Sequence, residues 1–411
     1  MVKNQEIFDL FATSAKGLEE LLAEELRQVG AESVKVVRAG VSFRGPLAVA
    51  YRACLESRVA SRVLLPLKKF PAPTPEKLYG GTKSIRWSDH LGARQTLAVD
   101  FTSVRSDLTH THFGALKVKD AIVDQLRSVH GERPSIDVMD PDVRVHVHLQ
   151  DNVAEVSIDL SGQSLHKRGY RDQTVPAPLK ENLAAALLLL AKWPERAAQK
   201  TPFLDPMCGS GTILIEAALI ATRTAPGLFR RRFGFEGWKK HDPGLWHRVK
   251  AEAQARIIRD PKALPRMTGT DQDVRAVRAS LVHIEQAGLH GLVHVERREF
   301  SESAPFKDEL PEGQSPKGIM VFNPPYGERL GEIEELKPLY ASVGNVLKQR
   351  FTGWESYLLT SAPDLAKAVR LEPSRKFVVF NGAIECRLLR YDVFSGSGRR
   401  PKPEPVPSTE G

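Results

Sequence analysis

The hydrophobic pattern of the first 160 residues predicts short strands and helices in alternation. Residues 7–12 form a strand-like apolar run, and the leucines from Leu18 to Leu26 share one face of a helix. With strands at 33–38 and 41–44, they predict a small αβ unit over residues 1–45. A second αβ unit over residues 46–158 is indicated by a helix at 47–61, strands at 96–101 and 144–149, and an amphipathic helix at 113–126.

From Gly318 onward the chain alternates short apolar runs with helical segments, as a parallel sheet requires. Near its end, strands at 376–380 and 383–389 flank Asn381-Gly382, a two-residue hairpin signal. We therefore expect an α/β domain over residues 159–394 whose parallel sheet ends in an antiparallel hairpin. Residues 395–411 are rich in Ser, Gly and Pro, and we expect a disordered tail there.

Charge and cysteine usage narrow the class of protein. The 411 residues carry a net charge of +9, and the isoelectric point near 9.4 favours a polyanionic partner, although such an excess also aids solubility. Cys54, Cys208 and Cys386 form no CxxC pair, which favours a reducing compartment and argues against a zinc site. The longest apolar run, Leu183 to Ala191, is far shorter than the ~20 residues of a membrane span. We expect a cytoplasmic protein with no metal and no membrane segment.

The segment DPMCGSGT, between an apolar strand and an apolar helix, is the first candidate for chemistry. Glycines let a ligand approach the backbone, and the start of a helix favours a carboxylate. Because no Gly-Lys-Ser/Thr follows, the turn is not a phosphate-binding P-loop. An acidic residue at the strand end suits a cationic amine, so the pattern indicates an amino-acid ligand, and a purely structural turn is the alternative. The candidate binding residues are Asp205, Pro206, Cys208, Gly209, Gly211 and Thr212.

The second candidate is Asn323-Pro324-Pro325-Tyr326, which follows an apolar strand at 318–322. Two prolines end the strand and stiffen the chain, so that the Asn323 side-chain oxygen and the Pro324 carbonyl can be fixed acceptors. Tyr326 offers an aromatic face for a planar base. An exocyclic amine that donates to both acceptors keeps its lone pair free for attack. The alternative is a proline-rich turn that only closes the strand.

A third candidate, Asp271, ends a predicted strand at 267–271 and is suited to ribose hydroxyls. In this order, DPMCGSGT, GTDQD and NPPYGERL resemble the cofactor loop, ribose acid and catalytic loop of class I S-adenosylmethionine-dependent methyltransferases that modify exocyclic amines. The resemblance implies a Rossmann-like, seven-stranded sheet with a terminal antiparallel hairpin, and S-adenosylmethionine as cofactor.

Two further segments resemble RNA-modification enzymes. THFGALKVKDAIVD and RPSIDV are similar to the THUMP domain, an RNA-binding module, which here would follow a small ferredoxin-like unit. APGLFRRRFGFEGWKKHD lies in an extra segment before Asp271 and resembles bacterial 23S rRNA guanine-N2 methyltransferases with a THUMP domain. Its aromatic residues could stack on RNA or pack on the sheet. The residues expected to contact RNA are Lys117, Lys119, Arg168, Tyr170, Arg171, Arg230, Arg231 and Arg232, although the two lysines could equally belong to a solvated face.

The resemblance also implies roles for single residues. Asp205 would bind the methionine amine of the cofactor, Asp271 its ribose, and Glu299 its adenine, with Glu296 as the alternative. Lys180 and Asn182, in the helix before the cofactor loop, would contribute to the same site. Asn323, Pro324 and Tyr326 would hold the N2 amine of an unpaired guanine.

Several readings of the substrate remain open from the sequence. A guanine-N2 enzyme acting on tRNA would have the same architecture, and NPPY also occurs in adenine-N6 methyltransferases of DNA. A non-catalytic RNA-binding assembly factor is the alternative outside enzymes. Under the favoured interpretation, we expect the domain at 159–394 to fold and bind its cofactor without residues 1–158.

Overall fold

The computed structural model describes residues 6–92, 94–171, 179–306, 317–327 and 330–393. The tail expected at 395–411 lies outside these ranges. The described strands form two sheets, one of eight strands and one of seven. We refer to the described residues from 6 to 159 as the front half.

The strands of the eight-stranded sheet are β1 (Ile7–Thr13), β2 (Glu32–Val37), β3 (Gly40–Pro46), β4 (Arg62–Pro71), β5 (Thr96–Val104), β6 (Ser135–Ile136), β7 (Val143–Gln150) and β8 (Val153–Asp159). Those of the seven-stranded sheet are β9 (Phe203–Asp205), β10 (Met267–Asp271), β11 (His294–Arg297), β12 (Ile319–Phe322), β13 (Glu355–Thr360), β14 (Arg375–Asn381) and β15 (Ile384–Asp392).

The α-helices of the front half are α1 (Glu19–Gln28), α2 (Leu47–Glu56), α3 (Pro75–Lys83) and α4 (Thr111–His130). Those of the remaining described chain are α5 (Glu181–Leu190), α6 (Trp193–Ala198), α7 (Thr212–Ala221), α8 (Pro243–Ala255), α9 (Val274–Gln286), α10 (Leu330–Arg350) and α11 (Pro363–Ala368).

The two small units expected in the front half share one sheet, in the order β2-β3-β1-β4-β8-β7-β5-β6. Strand β4 joins them, because it pairs with β1 on one side and with β8 on the other, both antiparallel. The sequence pattern did not predict β4, since Pro66 lies inside it and proline usually ends a strand. Here the register shifts between Pro66 and Lys68, an irregularity that accommodates the proline.

The second sheet confirms the expected Rossmann-like fold. Its order is β11-β10-β9-β12-β13-β15-β14, with parallel pairing from β11 to β13 and an antiparallel hairpin of β14 and β15 at its end. The hairpin turn is one residue later than expected, because Asn381 pairs with Ile384 and the loop is Gly382-Ala383. Gly382 has a φ of +66°, which a tight hairpin loop requires and glycine adopts without strain.

Helix α7 is buried along its whole length between the sheet and its neighbouring elements. Its sequence, TILIEAALIA, is apolar on every side, as expected for a helix without a solvent-facing stripe. One continuous core runs from the front half through α5 and α7 to this face of the sheet. A smaller core around Tyr340 and Trp354 covers the opposite face.

The extra segment at 223–265, which we call the insertion, packs against the front half. The rings of Phe233, Phe235 and Trp238 are buried, and Phe235 lies 4.3 Å from the ring of Tyr51 in α2. Helix α8 adds the ion pair between Glu252 and Arg52 of α2, at 2.8 Å. The sequence suggested that these aromatic side chains stack on RNA or pack on the parallel sheet. In the structure they are buried against the front half.

Candidate active site

Three sequence motifs meet where the strand order of the second sheet reverses. The chain runs from β9 outward through β10 to β11 and then returns to β12 on the other side of β9. Ligands bind in the crevice at the carboxyl ends of strands at such a switch point. Asp205 ends β9, Asp271 ends β10, and Asn323 directly follows β12. The expected site residues therefore gather at one edge of the sheet.

Asp205 is a buried carboxylate with an unfilled bonding position. Only 1% of the residue is exposed, and its Oδ1 accepts a hydrogen bond of 3.4 Å from the Met207 amide. Its Oδ2 is buried and has no hydrogen-bond partner among the described residues. Burial, and secondarily the charge of Asp271, raises the pKa of Asp205 well above its ordinary value. A ligand ammonium group would satisfy this oxygen and stabilise the charged form.

The glycine turn, residues 205–212, is held from two sides. The Gly209 amide donates to Oδ2 of Asp271 at 2.9 Å, and the hydroxyl of Ser280 in α9 donates to the Gly209 carbonyl at 2.7 Å. Gly209 and Gly211 have φ values of +53° and +84°, where other residues are strained. A Cβ on Gly211 would lie 3.1 Å from the Ser280 hydroxyl oxygen. The turn therefore needs glycine for both its backbone conformation and its close approach to α9.

The other residues of the turn support its shape. The Cys208 thiol is buried, and burial raises its pKa well above the ordinary value, so it is a packing residue and not a nucleophile. The Pro206 carbonyl accepts a hydrogen bond of 3.3 Å from the Thr270 hydroxyl. Thr212, the first residue of α7, accepts a hydrogen bond of 2.6 Å from the guanidinium of Arg171.

Asp271 is half-buried and accepts a hydrogen bond from the glycine turn, and its carboxylate can accept further hydrogen bonds from a ligand. Its Oδ2 accepts from Gly209 and its Oδ1 accepts from the Asp273 amide at 2.9 Å. A carboxylate can accept about four hydrogen bonds, so two ligand hydroxyl groups can still donate to it.

The two glutamates after β10 differ in their surroundings. Glu296 lies inside β11 and forms an ion pair of 2.8 Å with Arg298. Glu299 lies beyond the end of β11 and is exposed, with a contact of 3.4 Å from the Ser301 hydroxyl. Position and exposure favour Glu299 as the residue that can face a ligand at the carboxyl edge.

The Asn323 side chain presents the second unfilled acceptor of the site. Its Oδ1 is buried without a hydrogen-bond partner among the described residues. The loop after it is fixed by two residues that the sequence did not indicate. The hydroxyl of Tyr340 in α10 donates to the Pro325 carbonyl at 3.2 Å, and the Asn381 amide donates to the Tyr326 hydroxyl at 3.3 Å.

Arg168 and Tyr170 were wrongly expected to contact RNA. Tyr170 has no exposed surface and Arg168 is 1% exposed, so neither the ring nor the guanidinium can reach a nucleic acid. Both contact Oε1 of Glu216, the single charged residue of α7. The Tyr170 hydroxyl lies 2.9 Å from this oxygen, and Nε of Arg168 lies 3.4 Å from it. The buried carboxylate requires these partners, and they anchor residues 160–171, which we call the linker, to α7.

Arg230 is also a structural residue. Its guanidinium donates four hydrogen bonds of 2.7 to 3.2 Å to the backbone carbonyls of Ser161, Gln163, Ser164 and Lys167. Burial lowers its pKa to about 10. It ties the insertion to the linker and has little capacity left for RNA.

Asn182, which was expected at the cofactor, contacts the front half through its side-chain amide. Its buried side-chain amide donates to the Val59 carbonyl at 3.4 Å and to the Ser61 hydroxyl at 3.2 Å, both in the front half. Lys180, two residues earlier, is exposed and directly precedes α5.

The remaining expected RNA residues line two basic hollows. A cavity of about 630 Å³ lies between the front half, the linker and the insertion, and we call it the junction cavity. Seven Lys or Arg residues and two carboxylates line it, and Arg171, Arg231 and Arg232 are among them. Lys117 and Lys119 line a separate front-half groove of about 800 Å³.

The described ranges contain neither a candidate metal cluster nor a candidate membrane-spanning helix. No cluster of three or more His, Cys, Asp or Glu side chains there has an arrangement suited to a metal ion. Within the same ranges, no helix has both the length and the apolar character to span a membrane.

Family models match most of the chain. A model described as an RMKL-like methyltransferase domain matches residues 168–390. An RlmL ferredoxin-like domain matches residues 9–64, and a THUMP domain matches residues 72–159.

Several curated proteins are similar over nearly all of this sequence. The ribosomal RNA large subunit methyltransferase K/L of Methylococcus capsulatus is 49% identical over 403 residues, which are 98% of this chain and 53% of that protein. The protein of the same name in Allochromatium vinosum is 47% identical over 97% of this chain and 54% of its own length. The chain thus spans about half the length of the curated relatives it matches.

Solved structures match over nearly their whole length. SMU.472, a candidate methyltransferase solved with SAH, aligns with a TM-score of 0.82 and 30% identity over 95% of this chain and 99% of that one. A chain from Listeria monocytogenes, described as a predicted N6-adenine-specific DNA methylase, aligns with a TM-score of 0.80 and 32% identity over 94% of this chain and 97% of that one.

Proposed function

Because the chain belongs to the RMKL-like methyltransferase family, we propose that it methylates the exocyclic N2 amine of a guanine in 23S ribosomal RNA. S-adenosylmethionine is the methyl donor in this proposal. The observation that carries it is the pairing of two unfilled acceptors, on Asp205 and Asn323, at the switch point of the sheet. The names of the curated relatives support large-subunit ribosomal RNA over tRNA and DNA. A ribosomal RNA substrate would place the protein in the cytoplasm.

The residues at the carboxyl edge fit this cofactor. Oδ2 of Asp205 would accept from the methionine ammonium, while the glycine turn and the start of α7 leave room for the methionine carboxylate. Asp271 would accept from the ribose hydroxyls, and Glu299 would face the adenine. Lys180 would contribute at the rim of the same cleft. When bound, the cofactor supplies an electrophilic methyl group.

The chain's own contribution to chemistry is orientation. Asn323 Oδ1 and the Pro324 carbonyl would accept the two hydrogens of the guanine amine, which directs its lone pair outward. Tyr326, fixed through its hydroxyl, would stack on the base. Holding reactants in line can contribute several kcal/mol to lowering the barrier. The amine needs no strong base before attack, because the product ammonium loses its proton afterwards.

The basic surfaces supply affinity for the RNA backbone. In the proposal, Lys117 and Lys119 of the front-half groove contact phosphates. Arg171, Arg231 and Arg232 act at the junction cavity, closer to the glycine turn. The target guanine must be unpaired or leave its helix to enter the site, because a stacked base cannot reach the catalytic loop.

The variant Asn323→Ala tests the assignment of the catalytic loop. We expect SAH binding, measured by calorimetry, to stay within about twofold of wild type, because the cofactor residues are unchanged. Methyl transfer to 23S rRNA should fall by about 100-fold or more, since one of two orienting acceptors is lost.

Asn345→Ala is the matched control, because Asn345 is an exposed residue of α10 outside the site. It should leave both SAH binding and methyl transfer unchanged. If Asn323→Ala weakens SAH binding and methyl transfer to the same extent, Asn323 belongs to the cofactor site and its assigned role is wrong.

A further inference from the structure

The junction cavity carries positive charge that its own carboxylates do not neutralise. Lys167 lines it, is exposed, and forms no ion pair with any described residue. Arg230 is bonded to backbone carbonyls, which leave its charge uncompensated. His166, which also lines the cavity, has its pKa lowered to about 4. Burial is the larger cause, and the positive charge of nearby Lys and Arg side chains is the second. The cavity is therefore an electropositive hollow that attracts anions.

Exposed apolar side chains lie beside this charge. Val138 and Met139, in the loop before β7, are 68% and 80% exposed, and Met139 lines the cavity. Across the cavity, Arg231 is 83% exposed and pairs with Asp140 at 2.5 Å. Cations beside an exposed apolar side chain suit a nucleic-acid strand, because its phosphates are anionic and the faces of its bases are apolar.

Arg171 connects the cavity to the glycine turn. Its guanidinium donates to the Thr212 hydroxyl at 2.6 Å and pairs with Glu181 of α5 at 3.1 Å. Thr212 directly follows Gly211, so one side chain touches both the cavity and the first residue of α7. A ligand that orders Arg171 from the cavity side would also order the turn.

We propose that the junction cavity binds a phosphodiester of the RNA substrate and that Arg171 couples its occupancy to the cofactor at the glycine turn. The proposal rests on the proposed function and adds a second anchoring point to it. Lys167 and Arg231 provide the charge for the phosphate, and the tip at Met139 lies against a neighbouring base. Because Arg171 contacts both the cavity and Thr212, a ligand that holds its guanidinium in the bonded position at one site favours binding at the other.

The first experiment measures binding of the full chain to a 23S rRNA transcript over a range of salt concentrations, without cofactor. Lys167→Ala and Arg231→Ala should each weaken binding at least threefold and reduce the slope of log K against log salt by about one. Asp140→Asn, which removes a competing negative charge from the cavity, should strengthen binding.

Lys367→Ala is the matched control, because Lys367 is an exposed lysine of α11 that does not line the cavity. It should leave affinity and salt slope unchanged. If the two cavity variants behave like this control, the cavity is not a phosphate site.

The second experiment measures SAH affinity by equilibrium dialysis, with and without saturating transcript. In wild type, the transcript should tighten SAH binding by about fivefold or more, and SAH should tighten transcript binding by the same factor. Arg171→Gln should bind both ligands with the two affinities independent of each other. An unchanged SAH affinity in wild type overturns the coupling.

These outcomes separate the inference from the proposed function. No SAH binding to wild type under any condition contradicts the methyltransferase proposal, while the salt experiment still decides the cavity. Normal SAH binding with unaltered RNA affinity of the cavity variants contradicts only the inference.

Discussion

Two buried oxygen atoms without partners mark the site at the scale of single residues. An unsatisfied buried acceptor costs about 1–3 kcal/mol, and a ligand donor that reaches it can remove that cost. Asp205 Oδ2 and Asn323 Oδ1 are such atoms, and they lie on adjacent strands of the sheet. Ligand donors at these two positions would offset part of the cost of folding the empty site.

Asp205→Asn tests this interpretation through stability and pH. Because burial raises the pKa of Asp205, its protonated form is favoured in the folded state. Its stabilising contribution is therefore present at low pH and is lost as the pH rises from about 4 through the raised pKa. The asparagine variant, neutral at every pH, should melt a few degrees higher than free wild type at pH 7 and equal it near pH 4.

The same variant should lose the cofactor. A neutral amide cannot pair with the ammonium group, so SAH should no longer raise the melting temperature. In wild type, SAH affinity should fall as the pH is lowered through the raised pKa of Asp205. An SAH-induced shift that survives in the variant would place the ammonium elsewhere.

Residue-level prediction from the sequence gave the correct location where position in a strand decides it. Asp205, Asp271 and Asn323 each end or follow a predicted strand, and the parallel sheet brings them together. It failed for Arg168 and Tyr170, because residue type does not reveal a buried partner. The available signal was Glu216, a lone carboxylate in an otherwise apolar helix, which must be paired when buried.

At the scale of elements, the glycine turn combines strain and close packing. Gly211 has a φ of +84°, and a Cβ there would meet the Ser280 hydroxyl at 3.1 Å. Gly382 of the terminal hairpin has a similar φ of +66° but open space around it. An alanine at either position would strain the backbone, but only an alanine at Gly211 would also crowd a neighbouring residue.

Gly211→Ala should therefore cost about 1–2 kcal/mol of stability from strain and also weaken SAH binding by about tenfold. Gly382→Ala should cost a similar amount of stability and leave SAH binding unchanged. Urea unfolding and calorimetry give the two quantities. Equal SAH affinities in the two variants would mean that the turn at Gly211 does not shape the cofactor site.

Elements with strong periodicity were predictable, and those that depend on tertiary contacts were not. The strands and helices around the switch point follow directly from apolar runs and glycine signals. Strand β4 was missed because its proline is tolerated only through a register shift. The insertion's aromatic residues could not be placed, because the surface they cover, α2, is some 180 residues earlier in the chain.

At the scale of the whole molecule, the front half packs closely against the described residues from 160 to 393. Arg58 donates to the Leu219 carbonyl in the last turn of α7 and to the Thr224 carbonyl just beyond it, and Arg168 donates to the Arg58 carbonyl. The core is continuous across this boundary. Deleting the front half would expose these buried groups. The contacts therefore argue against the expectation that residues 159–394 fold and bind the cofactor alone.

Glu216→Ala tests the buried network that links α7, through Arg168, to the Arg58 carbonyl of the front half. Removing the carboxylate leaves Arg168 buried without its charged partner, which should cost about 3–5 kcal/mol of unfolding free energy. Glu252→Ala is the control, because its ion pair with Arg52 of the front half is solvent-accessible and its loss should cost about 1 kcal/mol or less. Similar losses in both variants would show that the buried network does not join the halves.

The most direct test of the central claim is nucleoside mass spectrometry of a 23S rRNA transcript incubated with the full chain and S-adenosylmethionine. We predict one new N2-methylguanosine per transcript, whose rate of formation falls by about 100-fold or more with Asn323→Ala and which does not form on tRNA or DNA. N6-methyladenosine as the product, or no methylated nucleoside despite normal SAH and transcript binding, would contradict the account.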